Sequence, residues 1–251
     1  MLPANEQFGG AMSPNGIWMP DCPAGKVPCR AARVPVSLRI FGAFLAALGL
    51  GSLLFCISIY RQHTAICEIT RLGGHIETRP GGPKWLRALV ADGWMKLLDN
   101  PFLVNLESGE ATDAALDYVA RFDGLEMLFL GDTDVTDAGL RRLRGLSNLR
   151  VLQLDDTQVS DAGLANLVGL TRLQRLILDH TRVTDAGMVH VRQIAGLREL
   201  GLSNTRISDA GLLHVSRLTK LEAIWVRNTF VTFAGVADLC RELPGLTTVA
   251  R

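Results

Sequence analysis

A hydroxyl and a carboxylate stand side by side at Thr184 and Asp185, a pair that could activate water or move a proton. The phrase that holds them, VTDAGM, is one of several near-copies that recur every 24 residues. The acids of these copies form one column: Asp113, Asp137, Asp161, Asp185 and Asp209. A catalytic site needs one such pair, whereas a repeated pair indicates a structural role. We therefore predict that the Thr or Ser caps a helix and that the Asp lies in its first turn.

Histidines and cysteines are the other side chains that could do chemistry. His190 and His214 are one repeat apart and Asp238 follows one repeat later, which assembles zinc-ligand types in one column. Adjacent helices stand about 8–10 Å apart, wider than shared coordination allows. The 5 cysteines are scattered and form no C-x-x-C pair, and Cys22 and Cys29 have no second pair nearby. We predict no metal and no cofactor, and the role of these two cysteines stays open.

Enzyme motifs and a strong net charge are both missing from the sequence. It contains no G-x-S-x-G, no phosphate-binding glycine loop and no H-E-x-x-H. The 26 basic residues nearly balance the 25 acidic ones, so no overall field would attract nucleic acid. We predict that the protein is not an enzyme and does not bind nucleic acid.

The elements that position these residues repeat with the same period. Each unit opens with L-x-x-L-x-L-x-x-T, as at Leu149, Leu152, Leu154 and Thr157, and its period-two centre predicts a short strand with one buried face. A helix follows each cap. The glycine of each TDAG phrase, such as Gly187, is predicted to pack closely against the neighbouring unit. Gly145 and Gly169, one repeat apart, are predicted to end their helices in the left-handed conformation.

The region before the repeats contains one long uncharged segment. Residues 40–60 would form a helix about 31 Å long, enough to cross a bilayer core of roughly 30 Å. The sequence therefore predicts a disordered tail at 1–38, a transmembrane helix at 39–60, a juxtamembrane helix and N-terminal cap at 61–100 and the repeat domain at 101–251. Within the cap, residues 85–98 are predicted to form an apolar helix, followed by a first strand with Val104 and Leu106.

The basic flank predicts the orientation of this span. Lys26, Arg30, Arg33 and Arg39 precede it, whereas Arg61 and Arg71 follow it closely. The positive-inside rule then places the N-terminus in the cytoplasm and the repeat domain outside, in a single-pass membrane protein.

The repeats resemble leucine-rich repeats of 24 residues, with Thr where Asn or Cys is common. The chain as a whole resembles bacterial membrane-anchored leucine-rich-repeat proteins, through SLRIF at Ser37–Phe41, RLGGHI at Arg71–Ile76 and GPKWLRAL at Gly82–Leu89. This resemblance implies an α/β leucine-rich-repeat solenoid, with parallel short strands on the concave face and helices on the convex face. It also implies a binding role without naming a ligand.

Outward positions of the strands and of the following turns supply a candidate partner-binding surface on the concave face. Its residues are Phe129, Gln153, Asp155, Ile177, Asp179, Arg182, Arg206, Trp225 and Arg227. Exposed Trp, Ile and Arg are side chains that anchor protein interfaces. The predicted function is a membrane-tethered module that binds a protein partner. A structural cell-envelope protein that self-associates is the alternative, and a ubiquitin-ligase type adaptor is a third class that the membrane span disfavours.

Overall fold

The computed structural model describes residues 50–81, 99–107 and 111–250, with side chains from residue 57 onward. The chain divides after Leu53 into two units, Met1–Leu53 and Leu54–Arg251. The fold is that of the second unit. The first helix, Leu50–Arg71, begins four residues before this unit.

Helix α1, Leu50–Arg71, overlaps the end of the predicted membrane span. Residues 40–49 of that span lie outside the described residues, so the span remains a prediction. The helix continues past Tyr60 and carries Arg61, Glu68 and Arg71 in its second half. Among the helices of the described ranges, none is both long and apolar enough to cross a membrane.

One sheet runs through the described part of the second unit, with its strands in chain order. The strands are β1 (His75–Arg79), β2 (Asn100–Asn105), β3 (Met127–Phe129), β4 (Val151–Gln153), β5 (Arg175–Ile177), β6 (Glu199–Gly201), β7 (Ala223–Trp225) and β8 (Thr248–Ala250). From β2 onward every neighbour is parallel, with Leu128 beside Leu152 and Leu152 beside Leu176. The last pair joins Ile224 to Val249, one residue later than the period, because this unit contains one extra residue.

A short helix follows each strand from β2 to β7. These helices are α2 (Asp113–Val119), α3 (Asp137–Leu140), α4 (Asp161–Leu164), α5 (Asp185–Val191), α6 (Asp209–Val215) and α7 (Phe233–Glu242). The inward leucines of strand and helix, such as Leu176 and Leu164, are fully buried in one apolar cluster. The α/β solenoid of 24-residue coils predicted from the repeats is therefore present, with strands on one side and helices on the other.

At the N-terminal end of the solenoid, the region predicted as juxtamembrane helix and cap supplies the second half of helix α1 and strand β1. Strand β1 pairs antiparallel with β2, and Val104 of β2 is fully buried. Helix α1 places Ala65 and Ile69 in the core cluster, both with no exposed surface. The predicted cap helix at 85–98 lies outside the described residues. Of the two residues predicted for the first strand, Val104 lies in β2 and Leu106 follows its last residue, whereas the antiparallel neighbour β1 was not predicted.

Left-handed backbone occurs at a different place from the one predicted. Among the described glycines only Gly73 has a positive φ, so the prediction for Gly145 and Gly169 is wrong. The left-handed positions instead follow the strands, with φ between 53° and 57°: Asp132, Asp156, His180, Asn204 and Asn228. Asp, Asn and His tolerate this conformation better than other non-glycine residues. The turn after the strand imposes it, whereas the 3-10 helix that ends at Gly145 does not.

Candidate interaction surface

The outward side chains of the strands form two columns, of which the sequence analysis used only one. The predicted column, through Phe129, Gln153, Ile177, Gly201 and Trp225, is joined position by position in the sheet register. Its larger members are half-buried, and Gly201 is buried. Strand neighbours lie about 4.8 Å apart, so Phe129 and Ile177 stand on either side of the Gln153 side chain.

The second strand column consists of Met127, Val151, Arg175, Glu199 and Ala223. Residues two apart on a strand face the same way, and this alternation is the signal that could have found it. Met127 and Val151 are half-buried. Arg175 donates to Glu199 at 2.8 Å, and this hydrogen bond holds the pKa of the Arg175 guanidinium above its ordinary value. The two columns together define what we call the strand face.

Two carboxylates border the strand face in adjacent coils and turn away from each other. Asp179 Oδ1 accepts a hydrogen bond from the Ser203 backbone N–H at 2.6 Å. Asp155 leans toward Gly131, where a Cβ atom would lie 2.9 Å from its Oδ1. That oxygen is buried and has no hydrogen-bond partner among the described residues. Burial raises the pKa of Asp179, helped by the charges of Asp155 and Asp156 and opposed by the Ser203 hydrogen bond.

The left-handed residues after the strands make a ladder of polar side chains across the coils. Asn228 Nδ2 donates to Asn204 Oδ1 at 2.9 Å, and Asn204 Nδ2 lies 2.8 Å from His180 Nε2. His180 Nδ1 lies 3.6 Å from Asp156 Oδ1. The left-handed backbone and these contacts between coils therefore explain in part why Asp, His and Asn occupy these positions.

Arg182 and Arg206 lie just beyond this ladder, in the turns that lead to the helices. Both are exposed, and neither guanidinium has a hydrogen bond or ion pair within the described part of the chain. With Asn204, Asn228 and Phe230 they line a shallow depression of about 480 Å³. The Phe230 ring is 71% exposed. At the far end of the strand face Trp225 is half-buried and Arg227 is exposed.

The repeated acids have a structural role, and it reaches further than the sequence indicated. Thr184 caps α5 by accepting from the Ala186 N–H, as predicted. Asp161 of the preceding coil binds the same Thr184 through both oxygens, accepting from its N–H at 2.8 Å and its hydroxyl at 2.6 Å. The same clamp joins Asp113 to Thr136, Asp137 to Ser160, Asp185 to Ser208 and Asp209 to Thr232. These carboxylates therefore link neighbouring coils through hydrogen bonds.

Metal-ligand residues do not gather within the described ranges. No group of three or more His, Cys, Asp or Glu side chains suited to a metal ion occurs among residues 50–81, 99–107 and 111–250.

Comparison with known proteins gives likeness of fold only. No known family profile matches the sequence, and no curated protein matches it significantly. An internalin (inlF) of Listeria monocytogenes is 23% identical with a TM-score of 0.46, over 53% of this chain and 36% of its own. Internalin C2 (inlC2) of that species is 21% identical with a TM-score of 0.41, over 64% and 84%.

A plant structure has the same kind of likeness. The leucine-rich-repeat ectodomain of the Arabidopsis thaliana receptor kinase GASSHO1/SCHENGEN3, solved with CASPARIAN STRIP INTEGRITY FACTOR 2, is 16% identical with a TM-score of 0.45. The match covers 74% of this chain and 23% of the ectodomain, and this chain spans about a third of the internalin inlF. The leucine-rich-repeat fold rests on the parallel sheet and the 24-residue register of the chain itself.

Proposed function

We propose that this protein is a membrane-tethered recognition module whose strand face binds a protein partner. The observation that carries the proposal is a set of apolar side chains on adjacent coils that the described chain leaves partly open to solvent. No catalytic step is assigned to the surface, and binding alone is the proposed activity.

The first half of the strand face offers an apolar patch that Gln153 interrupts. Met127 and Phe129 lie on β3, Val151 on β4 and Ile177 on β5, all half-buried. The parallel register holds them in line at about 4.8 Å per coil, so a partner would meet a preordered surface. A rigid apolar patch with a polar rim is the pattern of interface cores.

The second half offers larger anchors with positive charge. Trp225 stands in the same column as Ile177, two coils further along, and Arg227 is exposed beside it. Trp and Arg are enriched among residues that dominate binding energy. Arg182 and Arg206 lie at the rim of the same face, where free guanidiniums would recognise carboxylates on the partner.

The membrane tether of this proposal is the predicted span at residues 40–60. Its uncharged length supports it, and the basic residues before it support a cytoplasmic N-terminus with the solenoid outside. A tether of this kind would keep the strand face close to other membrane components.

Crosslinking capture from native membranes tests the proposal with a matched pair of variants. The strand-face variant is full-length protein with Trp225→Ala and Arg227→Glu. The control carries Leu213→Ala and Arg217→Glu, an exposed apolar residue and an exposed base on and after α6. We expect capture of a specific protein to fall roughly 30-fold or more in the first variant, as for anchor residues worth about 2 kcal/mol, and to persist in the control. Equal capture by both variants would contradict the proposal.

A further inference from the structure

We propose that this chain pairs with a second copy of itself, antiparallel, through one edge of the solenoid. We call this surface the loop edge. It consists of two positions per coil in five successive coils: Asp132 and Asp134, Asp156 and Gln158, His180 and Arg182, Asn204 and Arg206, Asn228 and Phe230.

Charge on the loop edge is segregated along the solenoid. The first coil presents Asp132 and Asp134, both exposed, with no side-chain hydrogen bond or ion pair in the described ranges. The third and fourth coils present Arg182 and Arg206 in the same condition. Some exposed charges elsewhere on the strand side pair within the chain, such as Arg198 with Glu222 at 2.6 Å, although Arg227 does not within the described residues. The loop edge therefore carries an unused acidic end and an unused basic end.

An antiparallel partner copy makes these ends complementary. A two-fold axis between the second and third coils places the first coil opposite the fourth, so Asp134 faces Arg206 of the other copy. The same axis places the second coil opposite the third, so Gln158 faces Arg182 and Asp156 faces His180. The contact is isologous, and each of these pairings occurs twice.

Alternative arrangements bring like charges together. An axis through the third coil would place Arg182 opposite Arg182 of the other copy. Parallel copies in register would oppose Asp134 to Asp134 and Arg206 to Arg206. An axis through the second coil would pair Asp134 with Arg182 but would oppose Asp156 to Asp156 of the other copy. Like charges in an interface disfavour wrong registers, so the charge pattern favours the axis between the second and third coils.

The pairing is expected to be weak and sensitive to salt. Exposed ion pairs contribute little individually, and the Debye length shortens from about 10 Å at 0.1 M salt to about 3 Å at 1 M. Confinement to a membrane would raise the effective concentration of the two copies.

This inference does not depend on the proposed function. Arg182 and Arg206 belong to both proposals, whereas the strand-face anchors Trp225 and Arg227 are not among the paired positions. The test of self-pairing uses only copies of this chain, and the test of partner binding changes only Trp225 and Arg227. Partner binding and self-pairing can therefore fail separately.

Co-capture of two differently tagged full-length copies tests the pairing. Asp134→Arg makes an edge with an additional base, and Arg206→Asp makes an edge with an additional acid. Each variant opposes like charges when paired with itself. In the mixed pair both encounters are attractive again, because each substituted position meets its opposite charge and the untouched positions do so as well.

The expected result is a pattern across combinations at low salt. Wild type should capture wild type, each variant should capture itself about tenfold less, and the mixed pair should recover capture. Raising the salt from about 0.05 M to about 0.5 M should weaken the wild-type and mixed pairs. Arg192→Asp, an exposed base on the helix side, should leave capture unchanged. Equal capture in like and mixed combinations, or no wild-type capture, would overturn the inference.

Discussion

Asp179 is a partly buried carboxylate at the border of the strand face, and its ionisation costs stability. Its carboxylate borders the strand face, and its backbone partner is the Ser203 N–H. Burial is the largest cause that raises its pKa, and the nearby charges of Asp155 and Asp156 act in the same direction. A carboxylic acid with a raised pKa in the folded state binds its proton more tightly there. The folded protein therefore loses stability as the pH rises above the ordinary pKa of an aspartic acid, because Asp179 must then ionise in an environment that disfavours its charge.

The substitution Asp179→Asn should raise the melting temperature at pH 7. Asn removes the partly buried charge and keeps an oxygen that can accept from the Ser203 N–H. The gain should shrink as the pH falls, because a growing share of wild-type Asp179 is then protonated as well, and the raised pKa makes this begin at higher pH than for an ordinary Asp. Thermal unfolding followed by circular dichroism at several pH values measures both effects. Asp123→Asn removes an exposed carboxylate that belongs to neither the strand face nor the loop edge, and as the control it should leave the melting temperature nearly unchanged. A loss of stability at pH 7 for Asp179→Asn would refute this account.

Each helix start is held by a carboxylate of the preceding coil, so neighbouring coils stabilise one another. Asp161 clamps Thr184 at the start of α5, and Gly187 lies against that carboxylate. A Cβ atom at Gly187 would overlap Asp161 Oδ1 and lie 2.9 Å from Leu164 Cδ1. Asp161 cannot move aside without breaking two hydrogen bonds, so the glycine is required by packing and not by a special backbone angle.

Two glycine substitutions should therefore have opposite signs. Helix propensity alone favours alanine over glycine by about 1 kcal/mol. Gly187→Ala should nevertheless lower the free energy of unfolding by about 1–3 kcal/mol, as overpacking does. Gly145→Ala should be neutral or raise it by up to about 1 kcal/mol, since nothing lies within 4 Å of the added Cβ and its φ is not positive. Urea unfolding of the two variants provides the measurement, and a gain at Gly187 would disprove the clamp.

The apolar core of the solenoid is covered at its N-terminal end by elements from a different part of the chain than the repeats. The solenoid buries an uninterrupted column of leucines, which needs a cover at each end. At the N-terminal end, strand β1 pairs with β2 and helix α1 contributes Ala65 and Ile69 to the same cluster. The second half of α1 is therefore part of the solenoid core.

Truncation of Ile69 tests that role. Ile69→Ala should lower the free energy of unfolding by about 2–5 kcal/mol, because the side chain is fully buried. Cys67→Ala, at an exposed position of the same helix outside residues 40–60, should cost less than about 1 kcal/mol. Denaturant titration of the full-length protein compares the two. Similar small losses at both positions would mean that α1 does not cover the core.

Most of the fold, and part of the candidate interaction surface, could be predicted from patterns of residues close together in the sequence. The 24-residue period, the alternation around Leu152 and the capping hydroxyl of Thr184 are features of neighbouring residues, and the structure confirms each of them. The close packing at Gly187 was inferred because the glycine recurs at one place, and it is confirmed too. The second strand column through Met127 and Val151 could have been read from the same alternation.

Other features depend on residues that are far apart in the chain. The sequence could not show that Asp161 binds Thr184, because the two are one coil apart and meet only when the coils stack. It misplaced the left-handed residues because Asp132 and its equivalents are ordinary polar types until the turn imposes the conformation. Strand β1 carries no alternation and forms only against β2.

The solenoid of 24-residue coils follows from the sequence alone, because each coil repeats the same residue pattern for strand, turn and helix. The tertiary structure alone decided which charges remain unpaired. Asp185 is engaged by Ser208 of the next coil, whereas Arg182 and Arg206 have no partner within the described residues. Charge pairing depends on distances across coils, and composition and spacing along the chain do not contain those distances.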